Sequence, residues 1–127
     1  MKSFCIVTLS LIAGILLGAI GVQALHAQNK PPAFVVGEID VTDQARYFAD
    51  YVPPAVKAIV DGGGKYIVRN GRSVSLYGEA PKALAIMQFD SLEKAQAVFS
   101  SKAYTDAKAV GDKYAKFRIY VVEGLAP

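Results

Sequence analysis

The chain of 127 residues has a formal net charge of +3 and 53% hydrophobic residues, with one Cys, one His and no Trp. This length fits one domain. Cys5 and His26 both lie within residues 1–27. The remainder therefore excludes disulfides, thiol nucleophiles, Cys/His metal sites and imidazole bases, and we expect it to bind neither a metal nor a cofactor.

The first 27 residues have the pattern of an export signal. Lys2 is followed by a nearly continuous apolar run over residues 4–20. Val22–Ala24 then fits the small-residue rule for cleavage, whereas Leu25–Ala27 fits it only at the last position. This order predicts a signal peptide over residues 1–27, cleaved after Ala24 or Ala27. The alternative is an uncleaved membrane anchor formed by the apolar run, although a spanning helix needs about 20 apolar residues. The following domain is expected to be periplasmic or secreted, or anchored to the membrane on that side.

A polar linker and a strand open the remaining chain. Residues 28–32 contain two consecutive prolines, which disfavour a helix and favour an extended lead-in. Residues 33–41 alternate in polarity, with one face fully apolar and Glu38 on the other, and this alternation predicts a strand.

A helix is predicted after the strand. Thr42 or Asp43 can cap its N-terminus, and apolar residues then recur at spacings of three and four. Because proline cannot donate an interior hydrogen bond, Pro53–Pro54 predicts a break near Val52 and a restart at Pro53. The triplet Gly62–Gly64 ends the helix. It follows a helix rather than preceding one, which argues against a phosphate-binding loop.

The second half repeats this order with an added hairpin. Residues 65–70 predict a strand, Asn70–Gly71 a hairpin turn, and Val74–Tyr77 a short returning strand. Residues 83–89 predict a further strand. The remaining expected features are a helix capped by Ser91, a break around Ser100–Ser101 followed by more helical turns, and a last strand over residues 117–123.

The order strand, helix, strand, strand, helix, strand predicts an α+β, ferredoxin-like split βαβ arrangement. Both helices would cover one face of an antiparallel four-stranded sheet. The uncovered face would carry Phe34, Val36, Tyr120 and Val122, together with Ile86 or Met87. Since a soluble monomer rarely exposes a large apolar patch, we expect two copies to stack sheet on sheet as a homodimer. The alternative is that these residues are scattered, tolerated exposures.

Residues along most of the domain resemble one known family. They are Gly37–Asp43, Tyr47, Tyr51, Gly63–Tyr66, Arg69, Gly71, Gly78, Pro81, Phe89–Ala95, Ser101, Tyr104 and Glu123–Gly124. In these residues the chain is similar to domain-of-unknown-function family 1330 of the dimeric α/β barrel superfamily. The resemblance covers residues 33–124 and implies a ferredoxin-like homodimer without an assigned reaction. Where the family has a Trp-Tyr pair and an Arg, this chain has Val98–Phe99 and Gly111.

Four residues are candidate ligand-binding residues: Glu38, Arg69, Arg118 and Tyr120. Glu38 and Arg118 lie on neighbouring strands, where they either bind a polar ligand or satisfy each other as an ion pair. Arg69 matches a family arginine and either clamps an anion or remains a solvated charge at a strand end. Catalytic residues cannot be assigned from the sequence.

Other polar residues leave two interpretations open. Tyr47, Tyr51, Tyr66 and Tyr104 either supply hydroxyl groups to a pocket or pack as amphipathic core residues. Asp43 is explained as a helix cap, whereas Asp40 has no such explanation. Since the lysines are dispersed, nucleic acid is not an expected partner.

Two functions fit these residues. The first is an exported domain that binds a small amphipathic or anionic molecule beside the sheet. The second is a cofactor-independent isomerase or monooxygenase-like enzyme in which a carboxylate, Glu38 or Asp40, is the base. A structural dimer without a ligand is the remaining alternative.

Overall fold

A computed structural model describes residues 30–127, of which Pro31–Leu125 form one compact unit. The predicted signal peptide or anchor, and most of the predicted linker, lie outside these residues. The strands are β1 (Ala33–Val41), β2 (Lys65–Arg69), β3 (Ala83–Phe89) and β4 (Ala115–Glu123), and the helices are α1 (residues 44–61), α2 (Leu92–Phe99) and α3 (Lys102–Gly111). No helix within residues 30–127 is long and apolar enough to cross a membrane.

The four strands form one antiparallel sheet in the order β2-β3-β1-β4. The central strand β1 pairs with β3 on one side and β4 on the other, so that Val36 lies opposite both Ile86 and Tyr120. This order and direction are those of the split βαβ arrangement. The prediction of an α+β, ferredoxin-like fold is therefore confirmed.

The helices cover one face of the sheet and enclose the core. Ala33, Val35, Met87 and Phe89 face the helices and are at most 4% exposed. Of the two alternatives for the uncovered face, Ile86 therefore lies there and Met87 does not. The break expected around Ser100–Ser101 forms, and the helical turns expected after it are α3, which Ser101 caps by accepting a hydrogen bond from the Tyr104 N–H at 3.3 Å. Three helices therefore cover the sheet rather than the two of the expected arrangement.

The helix α1 does not break where the prolines predicted a break. Asp43 caps its first segment (Gln44–Arg46), a π-helical segment (Tyr47–Tyr51) follows, and an α-helical segment (Val52–Asp61) begins directly after it. The Val52 N–H bonds to the Tyr47 carbonyl in the wider π pattern. Both prolines thus fall in a first turn, where a missing N–H costs little.

The expected short strand over Val74–Tyr77 is wrong. The chain between β2 and β3 is a loop in which the Ser75 hydroxyl donates to the Gly78 carbonyl. A returning strand would pair with the outer edge of β2, and within residues 30–127 that edge carries no strand. Asn70 adopts a positive φ of 53°, but the chain continues into the loop and the predicted hairpin at Asn70–Gly71 does not form.

Replacing Gly111 tests the packing of α3 on α1. A Cβ atom there would lie 2.5 Å from Cδ2 of Tyr51, whose ring is buried and cannot move aside. We expect Gly111→Ala to lower the free energy of unfolding by about 1–3 kcal/mol, as overpacking does, although alanine favours helices. Urea denaturation measures this change.

The matched control is Gly71→Ala, where a Cβ would meet only Val68 Cγ1 at 3.6 Å, an ordinary contact. We expect this variant to keep wild-type stability. A Gly111→Ala protein as stable as the wild type would contradict the packing of Tyr51 against α3.

Candidate ligand site

A bulge in β2 turns two polar side chains toward the helices. Tyr66 pairs with Met87, Val68 with Ile86, and Arg69 with Ala85, so the register shifts by one residue at Ile67. Met87 and Ala85 face the helices, and their partners therefore face them too. In a regular strand, Tyr66 and Arg69 would lie on opposite faces because their separation is odd. The Arg69 guanidinium instead lies 5.3 Å from the centroid of the Tyr66 ring.

The π-helical segment supplies two more tyrosines. Tyr47 and Tyr51 are both buried, with ring centroids 5.1 Å apart. Across from them, α3 contributes Tyr104, whose hydroxyl oxygen lies 3.3 Å from that of Tyr51. Single π turns occur often at functional sites, and here the π turn directs two aromatic side chains toward the sheet.

These side chains surround a cavity of about 60 Å³ between α1 and the sheet. Its polar lining consists of Tyr47, Tyr51, Tyr66, Tyr104, Arg69 and Asn70. The rest is apolar: Gly37, Ile39, Phe48, Val52, Ala55, Val56, Ile59, Ala85, Met87, Phe99, Phe117 and Ile119. Among the described residues, no Asp, Glu, Lys or His lines it, so the cavity presents hydroxyl, amide and guanidinium groups within apolar walls.

Burial keeps the four phenols protonated. It raises the pKa of Tyr47 to about 12 and also raises the pKa of Tyr51, Tyr66 and Tyr104. The positive charge of Arg69 partly opposes this rise in the pKa of Tyr47 and Tyr66. At neutral pH, the cavity therefore contains neutral hydroxyl groups and a single positive charge.

The structure does not bring the four predicted site residues together. Arg69 lies at the cavity, whereas Glu38, Arg118 and Tyr120 lie on the uncovered face of the sheet. There Arg118 Nε lies 3.4 Å from Glu38 Oε2, and the Arg118 guanidinium lies 5.6 Å from the Tyr120 ring centroid. The ion pair that the sequence allowed is formed, with the Arg118 side chain 79% exposed.

Asp40 also has a basic partner. Its carboxylate pairs with the Lys82 ammonium at 3.0 Å, and Asp43 caps α1 by accepting from the Arg46 N–H at 3.1 Å. Both carboxylates considered as bases, Glu38 and Asp40, thus contact cations outside the cavity. Within residues 30–127, no group of three or more metal-binding side chains occurs.

A family model describes almost the whole of this unit. The model for a domain of unknown function (DUF1330) matches residues 32–125. The chain belongs to the DUF1330 family. No curated protein matches it in sequence. The resemblance drawn from the sequence is therefore confirmed at the level of the family, which carries no assigned function.

Several solved structures share the fold. RPA0582, a protein of unknown function from Rhodopseudomonas palustris, is 16% identical with a TM-score of 0.60 over 77% of this chain and 85% of that one. SnoaB, a cofactor-independent oxygenase from Streptomyces nogalater, is 6% identical with a TM-score of 0.55, over 76% and 96%. An EthD-family protein from Bacillus halodurans is 17% identical with a TM-score of 0.50, over 75% and 99%. At these identities, the likeness shows a shared fold and no more.

Gly111 lies beside the cavity, against the ring of Tyr51 that forms part of its wall. The resemblance drawn from the sequence implies an arginine at this position in the family. The sequence pointed to the four tyrosines and Arg69 one by one. It did not identify Asn70 and Phe48 as lining residues. Asn70 has the sequence pattern of a turn, and Phe48 has that of an ordinary core residue.

Titration of Tyr47 tests the burial of the site. The pKa of Tyr47 is about 12 in the folded protein and 10.0 when exposed, so the unfolded state loses this proton first. The contribution of the neutral Tyr47 phenol to the free energy of unfolding is complete below pH 10. It is lost as the pH rises through 12, because the folded state must then ionise a buried phenol. We expect Tyr47→Phe to lose less stability than the wild type between pH 9 and about 11 in urea denaturation. If the free energy of unfolding falls equally with pH in the two proteins, the Tyr47 hydroxyl is exposed to solvent.

Proposed function

We propose that this domain binds a small amphipathic or anionic molecule in the cavity between α1 and the sheet. The observation that supports it is the convergence of four tyrosine hydroxyls and Arg69 on a cavity with otherwise apolar walls. Small-molecule sites combine such walls with a few polar groups that fix orientation. Of the predicted site residues, Arg69 belongs to this proposal, and Glu38, Arg118 and Tyr120 do not contribute to the cavity.

The rim of the cavity gives an occupant a route inward. Tyr47, Phe48 and Asn70 line both the cavity and an adjoining groove of about 280 Å³, which continues toward Lys82. Phe48 is 48% exposed, so its ring can be contacted from solvent. A ligand larger than the cavity itself can therefore place its remainder in the groove.

A series of substitutions at Gly37 tests this function. Gly37 lines the cavity from β1, and a Cβ there meets nothing closer than the Ala85 carbonyl oxygen at 3.8 Å. Ala, Val and Leu would fill the cavity progressively without a backbone clash, and Val also favours a strand. We expect native mass spectrometry of the purified protein to detect a bound small molecule, with the retained fraction falling from wild type and Ala to Val and Leu.

The Gly37→Ala variant is the control for the loss of glycine, since it adds one carbon and keeps most of the cavity. Thermal unfolding should show all three variants folded. A retained molecule that persists in a folded Gly37→Leu variant would place binding elsewhere, and a wild-type protein without any retained or added ligand would contradict the function.

The enzymatic alternative stays a prediction. A base-catalysed reaction in the cavity needs a proton acceptor, and among the described lining residues there is no carboxylate. Glu38 and Asp40 are paired with Arg118 and Lys82 outside it. Binding is therefore the function that the residues support better.

We also propose that the uncovered sheet face joins two copies as a homodimer. Phe34, Val36, Ile86, Tyr120 and Val122 are contiguous there, since Val36 lies between Ile86 and Tyr120 and Phe34 lies opposite Val122. Tyr120 and Val122 are 42% and 51% exposed in the single chain. A second copy would bury this patch, and a two-fold axis would match it with itself.

Charge placed in this patch tests the homodimer. We expect Val122→Glu to give monomers in sedimentation velocity at micromolar concentration, because the two-fold axis would bury two carboxylates without partners. The control is Val60→Glu, at a position on α1 that is 53% exposed and outside the patch. A monomeric wild-type protein, or a Val122→Glu variant that still dimerises, would contradict the proposal.

The location of the protein is a separate proposal from the sequence. The apolar run over residues 4–20 supports export, with the domain periplasmic or secreted after cleavage, or held at the membrane without it. The intact mass of the protein recovered from cells distinguishes these forms, since cleavage after Ala24 or Ala27 removes a defined mass.

A further inference from the structure

We propose that the cavity selects a monoanion, a small carboxylate-type molecule with a short apolar body, over neutral, cationic and dianionic molecules of the same size. This inference rests on the proposed binding function and specifies its ligand class. It follows from the kinds of polar group at the cavity, from the unpaired charge of Arg69 and from the volume available.

The polar lining is rich in hydrogen-bond donors and has no negative charge. Four phenol hydroxyls and one guanidinium line the cavity, and Asn70 adds an amide at the rim. With their pKa raised by burial, the phenols stay protonated at neutral pH and donate to an acceptor. Tyr51 and Tyr104 partly satisfy each other at 3.3 Å. A cationic ligand would find no countercharge among the described lining residues.

Arg69 is available as the charge partner. Seven ion pairs occur within residues 30–127, and Arg69 takes part in none of them. Its guanidinium lies 5.3 Å from the centroid of the Tyr66 ring, and this cation–π contact supplies no negative charge. A planar carboxylate matches the N–H edge of a guanidinium with two parallel hydrogen bonds.

The charge balance limits the ligand to one negative charge. A single carboxylate neutralises Arg69, the one cation among the described lining residues of the cavity. A second carboxylate would reach only the groove, where Lys82 is already paired with Asp40 at 3.0 Å. The cavity of about 60 Å³ and the groove of about 280 Å³ together leave room for a body of a few carbons or one ring. The apolar lining favours such a body over a sugar or a peptide.

A four-carbon series with matched bodies tests the charge class. Butyrate, butyramide, butylammonium and succinate carry charges of −1, 0, +1 and −2, and benzoate and benzamide repeat the first pair with a ring. Isothermal titration calorimetry of the full-length protein measures affinity. Because the chain has no Trp, and four of its seven tyrosines line the cavity, tyrosine fluorescence provides a second readout of binding. We expect the monoanion of each body to bind at least about tenfold more tightly than its amide, as a charged hydrogen bond typically provides.

Substitutions at Arg69 separate charge recognition from packing. We expect Arg69→Gln to weaken binding of butyrate or benzoate about tenfold and to leave binding of the amides unchanged, with Arg69→Lys restoring part of the loss. The matched control is Arg72→Gln, because Arg72 is an exposed arginine in the β2–β3 loop that does not line the cavity. This variant should change neither the affinity for the acids nor the affinity for the amides.

The outcomes separate this inference from the function on which it rests. Amides, succinate or butylammonium that bind as tightly as butyrate, or acids that bind equally well to Arg69→Gln, would overturn the monoanion class. So would a protein that retains a native small molecule and binds none of the acids, and in that case the proposed function would stand. A protein that neither retains a molecule nor binds any probe would overturn both.

Discussion

The ring of Tyr51 joins the layers of this domain beside the cavity. It lies against Gly111 of α3, its centroid is 5.1 Å from that of Phe117 in β4, and its hydroxyl meets that of Tyr104. A smaller side chain at 51 would leave a void between the helix layer and β4, and a larger one at 111 would displace the ring of Tyr51. The volume of the cavity therefore depends on a contact between an aromatic ring and a glycine, which leaves no space for adjustment.

Two local irregularities of the backbone bring polar side chains to the cavity. The π-helical segment directs Tyr47 and Tyr51 toward the sheet, and the bulge at Ile67 directs Tyr66 and Arg69 toward the helices. In a regular strand, Tyr66 and Arg69 would lie on opposite faces, so the bulge is needed to bring both side chains to the cavity. Such irregularities weaken local hydrogen bonding, and they persist here because the surrounding core holds them. Their presence on both walls of one cavity supports a binding role more strongly than any single tyrosine does.

Regular features could be predicted from the sequence and irregular ones could not. The alternation in β1, the caps at Asp43 and Ser91, and the order of the elements depend on neighbouring residues alone. The bulge depends on how β2 pairs with β3, and the continuous α1 depends on a π turn that places both prolines where their missing N–H groups are tolerated. Apolar residues at Val74–Tyr77 resembled a strand because alternation shows which residues are apolar and not whether the segment pairs with a neighbouring strand.

The four residues that the sequence predicted as one ligand site lie on opposite faces of the sheet. Glu38, Arg118 and Tyr120 share the uncovered face, where each charge has an opposite charge in register on the adjacent strand. That pairing places an opposite charge beside each charge at one end of the apolar patch. Arg69 lies at the cavity on the opposite face, exposed and with no such partner among the described residues. The cavity is lined entirely by residues of a single chain.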